Sequence, residues 1–433
     1  MSILIIDHSA GCFWQLGRPG YTSLALIEGK MNAPQSHNHH YVPQWYQKRF
    51  LPIGQSKLFY LDLKPQRVEN GEHSYFRRNP QRAGVVNCFS RDDLYAMRFG
   101  KQTTDILETK LFGIVDKKGA PAAAFFSDYH DYLAETNDAF KDLVFYMGAQ
   151  RFRTPRGLDL IKKQYRLDDH TQTLMVMNGL FQAFGTMWME GVWEIVHARR
   201  SRIKLIISDD PVTFFNRRVI PGGPPYPFGA ELPQVGTRTI FPLGAESCLI
   251  ISHLQVARNG WINPAENREN ARTFDATIAN LTQIQFGREL DESEVLRINF
   301  ILKKSATKFI ASGEDDFLYP ERHVDIHWTK LDDDWFLFPN LCKVKFSAGT
   351  MIGYQDGRVF GMDEYGRRPP HPRFENEEQR QFDFKRFEQS RREWAKRRFG
   401  KPVSHLVNQM HEDTLGDSRM ERYLKGLGLI AAE

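Results

Sequence analysis

At 433 residues the chain is long enough for one large domain or two ordinary ones. A hydrophobic fraction of 41%, with 13% aromatic residues, supports a packed core and excludes an intrinsically disordered chain. The net charge of +5, from 58 basic and 53 acidic residues, permits contact with phosphate but does not demand nucleic acid, which usually needs clustered charge.

No apolar run approaches the roughly 18 residues of a membrane helix, so no membrane partner is expected. The four cysteines, Cys12, Cys88, Cys248 and Cys342, are dispersed and form no Cys-x-x-Cys pair. That pattern argues against a zinc ribbon and suggests free thiols in a reducing cytoplasm.

In chain order, residues 1–35 read as an extension outside the core, with the folded protein expected to begin near Met31. His37-Asn38-His39-His40-Tyr41-Val42-Pro43-Gln44 then gathers three imidazoles ahead of a proline. His39 and His40 are expected in extended backbone with side chains on opposite sides, so that at most one enters a pocket. Alternation predicts a strand over 57–63, and a second short strand is expected over 85–89.

From Thr103 the pattern becomes helical, with Ile106, Leu107, Leu111, Ile114 and Val115 forming an apolar stripe. Asp105, Glu108 and Asp116 fall on the other side and read as a solvated face in preference to a metal site. A helix over 137–153 carries Ala139, Phe140, Leu143, Val144 and Met147 on its core face. Gln150 and Arg151 share that face, Arg153 lies at its edge, and Pro155 ends the helix. A guanidinium aimed at the core needs an acceptor, unless it snorkels past the helix end into water.

Another helix is expected over 171–189. Segments 192–197 and 203–207 read as a β-hairpin whose second strand runs into Ser208-Asp209-Asp210-Pro211, a strand end that either exposes functional groups or merely turns. Glycine and proline crowd 220–236, a loop able to cover a site. Strands are predicted over 237–243 and 247–252, and Asn263-Pro264-Ala265-Glu266 has the form of a helix start. Asp291-Glu292-Ser293-Glu294 opens a helix expected to reach about Ser312. His323-x-Asp325-x-His327 reads as alternating polar residues on an exposed strand in preference to three ligands. A hairpin is expected at Asp356-Gly357. Beyond Arg367-Arg368-Pro369-Pro370, basic groups interleave with Phe382, Phe384, Phe387 and Trp394 in a surface helix over 375–399 that offers a nucleic-acid-binding alternative.

Several of these motifs together resemble one family. His39-His40-Tyr41-Val42-Pro43-Gln44, Gln150-Arg151-Phe152-Arg153-Thr154-Pro155, Ser208-Asp209-Asp210-Pro211-Val212, Phe241-Pro242-Leu243 and Leu296-Arg297-Ile298-Asn299 occur in the order seen in the domain of unknown function 4238 family. The likeness spans about residues 36–312 and departs at Ile207, where a Thr is expected, and at Gly244-Ala245, where a Ser-Pro is expected. It implies no established reaction.

The expected architecture is α+β, with helices on a largely antiparallel sheet over 36–312. A β-rich extension follows over 313–365, then a linker and basic helical segment over 366–433. His39, His40 and Asp209 are the candidate catalytic groups, as general base or as ligands of a divalent metal ion. Gln44, Gln150, Arg151, Arg153, Ser208, Asp210 and Asn299 are candidate ligand-binding residues, the arginines being suited to phosphate. The set suits a metal-dependent hydrolase acting on a phosphate-containing small molecule or nucleic acid. The alternative is a non-catalytic ligand-sensing or nucleic-acid-binding module. Arg151 is expected to pair with Asp209, or failing that Asp210, beside the His39-His40 segment.

Overall fold

Three of the segments rich in consecutive apolar residues form the centre of the fold. Val192–His197, Arg238–Gly244 and Ser247–Ser252 are buried at every position, as strands covered on both faces must be. With Thr213–Phe215 and Gln285–Glu289 they make a five-stranded sheet in the order 213–215, 238–244, 247–252, 192–197, 285–289. The last strand runs parallel to its neighbour; the other pairings are antiparallel. Trp193, Ile195, Phe241, Leu249 and Ile251 point into a core that also takes up the helices Gly113–Ser127 and Thr136–Arg153. Val196, Ile240, Cys248 and Ile250, on the opposite face, meet Val295, Ile298, Ile301 and Leu302 of the helix Glu292–Ser305. The two-residue period of a strand thus feeds two cores from one sheet.

The structure, a computed structural model, describes residues 37–323 apart from short internal stretches, chiefly 222–228, 257–262 and 274–277, together with 4–5, 325–328, 331, 349–353 and 359–363. A second sheet, four-stranded and antiparallel, orders Ile207–Ser208, Phe309–Ser312, Lys57–Asp62 and Gln81–Gly84. The class is therefore α+β with largely antiparallel sheets, as expected. Gly349–Gly353 pairs antiparallel with Val359–Asp363, so the expected hairpin forms, with its register centred on position 356; the turn residues 354–358 lie outside the described residues. Cys88 and Cys248 are buried free thiols. Among the described residues no helix is long and apolar enough to cross a membrane. The linker and the aromatic-basic segment at 375–399 lie outside the described residues, as does nearly all of 1–35.

Several elements differ from expectation, and at three of them a tertiary partner outweighs the local pattern. Residues 203–206 form no hairpin with 192–197, whose partners are Ser247–Ser252 and Gln285–Glu289. Instead the Leu205 N–H donates to the Ala245 carbonyl and the Ile206 N–H to Asn299 Oδ1. Val85–Asn87 is a 3-10 turn, not a strand. The stretch 263–266 is a turn, not a helix start, because its carbonyls accept the N–H groups of Val235 and Gly236. The 171–189 helix is broken into His170–Gly179 and Gly185–Met189. The helix opens at Asp291 as expected, where the structure adds a capping box with Glu294, but it stops at Ser305, because Phe309–Ser312 is drawn into the second sheet. His323 and His327 lie off any strand and pair with different carboxylates, Asp316 and Asp325.

One glycine sets how closely the helix Thr136–Arg153 approaches the turn that carries Phe181. A Cβ on Gly148 would lie 1.8 Å from the Phe181 carbonyl oxygen, a backbone atom that cannot rotate away. Gly148→Ala is expected to destabilise the chain by about 2 kcal/mol or more, since overpacking outweighs the gain of about 1 kcal/mol in helix propensity. Urea denaturation checks this; unchanged or raised stability would show that the two segments can separate at little cost.

Candidate functional site

Several of the polar residues singled out by sequence, namely His39, Gln150, Arg151, Arg153 and Asp210, gather around one helix corner. Thr136–Arg153 ends at Thr154, whose Oγ1 accepts the Gly157 N–H at 3.0 Å and so also caps the next helix, Pro155–Tyr165. Pro155 occupies the first helical position, where its missing N–H costs nothing. Side chains two apart on a helix diverge by about 200°. Arg151 and Arg153 therefore enter different surroundings.

Arg153 is 1% exposed, deeper than the helix edge its position suggests. It donates from Nη1 to Asp116 at 2.9 Å and from Nε to Gln150 Oε1 at 2.7 Å. Burial works against its charge, but Asp116, Tyr146 and Tyr95 outweigh that and raise its pKa. The Tyr95 hydroxyl donates to the Arg153 carbonyl at 2.7 Å, and Gln150 Nε2 to the Tyr41 carbonyl at 2.9 Å.

His39 belongs to this network by supporting Tyr95. It is fully buried, its ring stacks on Tyr95 at 5.4 Å, and its Nδ1 accepts the Tyr95 N–H at 2.9 Å. His40 faces the other way, as the extended pairing of Asn38–His40 with Ser90–Asp92 requires, and its Nε2 donates to the Val86 carbonyl at 3.0 Å. Burial lowers its pKa. Gln44 opens the short helix Gln44–Lys48 at the edge of solvent. The buried amide there is Gln47, which donates to the carbonyls of Val42 and Cys88.

The acidic triplet is not a solvated face. Asp105 is buried, Asp116 pairs with Arg153, and Glu108 is partly buried between them. Desolvation, opposed by Arg153 and helped by Asp116 and Asp105, pushes the Glu108 carboxyl up to about 7. The cause is a run of π-helix, Leu107–Phe112, ahead of the α-helix. Bonding from i to i+5 widens the turn and slips the phase of a 3.6-residue wheel. Ile114, placed on the apolar stripe by that wheel, is accordingly 56% exposed.

On the other side of the corner Arg151 meets Asp210, not Asp209. Arg151 Nη1 lies 2.6 Å from Asp210 Oδ2 with both side chains buried, and its guanidinium sits over the Phe214 ring at 4.4 Å. It does not snorkel. Arg156 Nη1 approaches the same Oδ2 at 3.2 Å and donates to the Ser305 carbonyl at 2.6 Å. Burial lowers the Arg151 pKa, Asp210 raises it, and the neighbouring charge of Arg156 lowers it again.

Asp209 is taken up by backbone. Its carboxylate accepts the N–H groups of Thr307, Lys308 and Phe309 at 2.7–2.9 Å, which tethers the start of the strand Phe309–Ser312. Burial raises its pKa to about 6 against those three donors. Ser208 Oγ accepts the Asp210 N–H at 3.3 Å. Asn299 bridges the Ile206 N–H and the Lys204 carbonyl from the helix Glu292–Ser305. Both are positioning contacts within the junction.

The structure thus gathers Gln150 with Arg153, and Arg151 with Asp210, while His39 and Asp209 each face backbone N–H groups. Among the described residues no three His, Cys, Asp or Glu side chains are grouped to hold a metal ion. Sequence reasoning missed Tyr95, which carries no motif, and Arg156. Thr154-Pro155 held a readable signal for the latter, because a capped helix start puts Arg156 in the first turn of the new helix.

The fold and corner define an α+β protein whose polar centre is a buried ionic junction between helices and two sheets. Residues 38–178 match the model of a family described as Protein of unknown function (DUF4238), a shorter span than the sequence likeness suggested. No curated protein and no solved structure matches the chain. The matched span holds His39, His40, Gln44, Gln150, Arg151, Arg153 and Arg156; Ser208, Asp209, Asp210 and Asn299 lie beyond it.

Proposed function

We propose that this chain is a binding module for a small phosphate-bearing ligand, seated on the Arg151–Asp210–Arg156 junction. The observation that carries the reading is that two guanidiniums converge on one carboxylate oxygen. That oxygen belongs to Asp210. The neighbouring carboxylate, Asp209, is already met by three backbone N–H groups. Of the two guanidiniums, that of Arg156 is the one that reaches the surface, its side chain 23% exposed against 6% for Arg151. Gly229, where the glycine-proline loop returns, passes close to its Nη2. A planar guanidinium with several donors suits a phosphate better than a point charge would.

Binding is preferred to metal-assisted hydrolysis because His39 and Asp209, which would serve hydrolysis, already accept backbone N–H groups. Glu108, the carboxyl best tuned to exchange a proton near neutrality, accompanies Arg153 on the other side of the helix. Titration calorimetry with inorganic phosphate tests the reading. Saturable binding is expected in the native chain and at least tenfold weaker binding in Arg156→Gln. Indistinguishable isotherms for the two proteins would sink it.

A further inference from the structure

The strands Lys57–Asp62 and Gln81–Gly84 pair with each other, and between them in the chain Arg67–Asn70 pairs with His73–Phe76. Gln81–Gly84 is an outer strand of the second sheet, and the pair 67–70 and 73–76 forms a two-stranded ribbon of its own. Along these two pairings an arginine stands opposite a phenylalanine twice. Arg82 faces Phe59 across the strands, with its guanidinium 4.4 Å from the ring centroid. Arg67 faces Phe76, whose side chain is 60% exposed.

The cations here lack carboxylate partners. Among the described residues Lys57, Lys64, Arg67 and Arg82 meet no Asp or Glu; Arg82 donates to the neutral Gln55 Oε1 at 2.9 Å. All four are exposed, as is Glu69, the described carboxylate of the outer ribbon, which holds none of them. On another basic stretch, Arg199, Arg202 and Lys204 are each paired, with Asp128, Glu292 and Glu246. Residues 64–82 carry five basic and two acidic residues, a surplus of three in a chain whose whole surplus is five. The charge is therefore clustered, as contact with a polyanion requires. The exposed ring narrows the choice of polyanion. An acidic peptide supplies charge without a flat partner, and a duplex keeps its bases stacked on one another. A single strand offers phosphates together with free base faces.

We infer that this ribbon is a docking surface for single-stranded nucleic acid, with Phe76 stacking on a base and Arg67, Arg82, Lys57 and Lys64 contacting phosphates. The surface shares no residue with the Arg151–Asp210–Arg156 junction, so either reading can fail alone.

Fluorescence anisotropy of a labelled oligothymidylate of about 20 nucleotides, at several salt concentrations, tests it. The native chain is expected to bind saturably and more weakly as salt rises. Phe76→Ala should weaken binding at least fivefold with the salt slope unchanged, because stacking carries no charge. Arg67→Gln should weaken it too and lower the slope by about 0.7, the share of one phosphate contact on a single strand. Both side chains are exposed, and circular dichroism checks that the variants fold. Arg202→Gln, which removes an exposed but paired cation, should change neither affinity nor slope. Undiminished binding by Phe76→Ala, or equal losses in Arg202→Gln and Arg67→Gln, would reveal a diffuse response to polyanions and overturn the inference. A duplex of the same length that binds as tightly overturns it as well, and so does absence of binding.

Discussion

Asp210→Ala is expected to be the most damaging single substitution at the helix corner, costing about 3–5 kcal/mol of folding stability. It leaves Arg151, 5% exposed, with its charge buried and uncompensated, and frees Arg156 to repel it. Arg151→Met should lie at the lower end of that range, about 3 kcal/mol, because Asp210 keeps Arg156 at 3.2 Å. The double variant should lose less than the sum, with a coupling of roughly 0.5–3 kcal/mol. Urea denaturation of the four proteins completes the cycle. Additive losses would show that the two side chains, although 2.6 Å apart, do not depend on one another.

The second large effect concerns acid. His253 is 3% exposed, and its Nε2 donates to the Leu232 carbonyl at 2.7 Å. Burial, reinforced by the nearby Arg268 and Arg238 charges, lowers its pKa from 6.5 to about 3. The folded state therefore refuses a proton that the unfolded chain accepts below pH 6.5. This contribution to stability is complete above pH 6.5 and is lost as pH falls towards 3. At 1.36 kcal/mol per pKa unit, about 3 kcal/mol disappears between pH 7 and pH 4. The raised pKa values of Glu108 and Asp209 act in the opposite sense, favouring the folded state as pH falls through their titration. The contribution is therefore read as a difference. His253→Gln, which retains a donor for Leu232, should lose about 3 kcal/mol less than the native chain over that interval. Parallel pH profiles for the two proteins would place the acid sensitivity elsewhere.

Arg151 illustrates how far local pattern reaches. A helical wheel puts its guanidinium among Phe140, Leu143 and Met147, which are buried, and from that alone follows the need for an acceptor. The wheel cannot choose between Asp209 and Asp210. The choice was made by the N–H groups of residues 307–309, which lead into a strand almost a hundred positions later and claim Asp209. The wheel also failed at Glu108 and Ile114, because a π turn changes the angle per residue on which every wheel depends. His39 and His40 were separable by strand alternation, but not which of them would be buried: that was settled by Tyr95, brought in from a neighbouring segment.

What the sequence determined by itself was therefore what short-range geometry governs. It set the helix Thr136–Arg153 with its stop at Pro155, the helix start at Asp291, the central strands 238–244 and 247–252, and the α+β class. Only the tertiary structure decided which carboxylate meets which guanidinium, why 203–206 is no strand of a hairpin, and that Arg156 and Ser305 share the junction. The physical reason is range. Side-chain periodicity and capping act over one or two turns, whereas a buried charge or N–H group takes whichever partner the packed chain brings within about 3 Å.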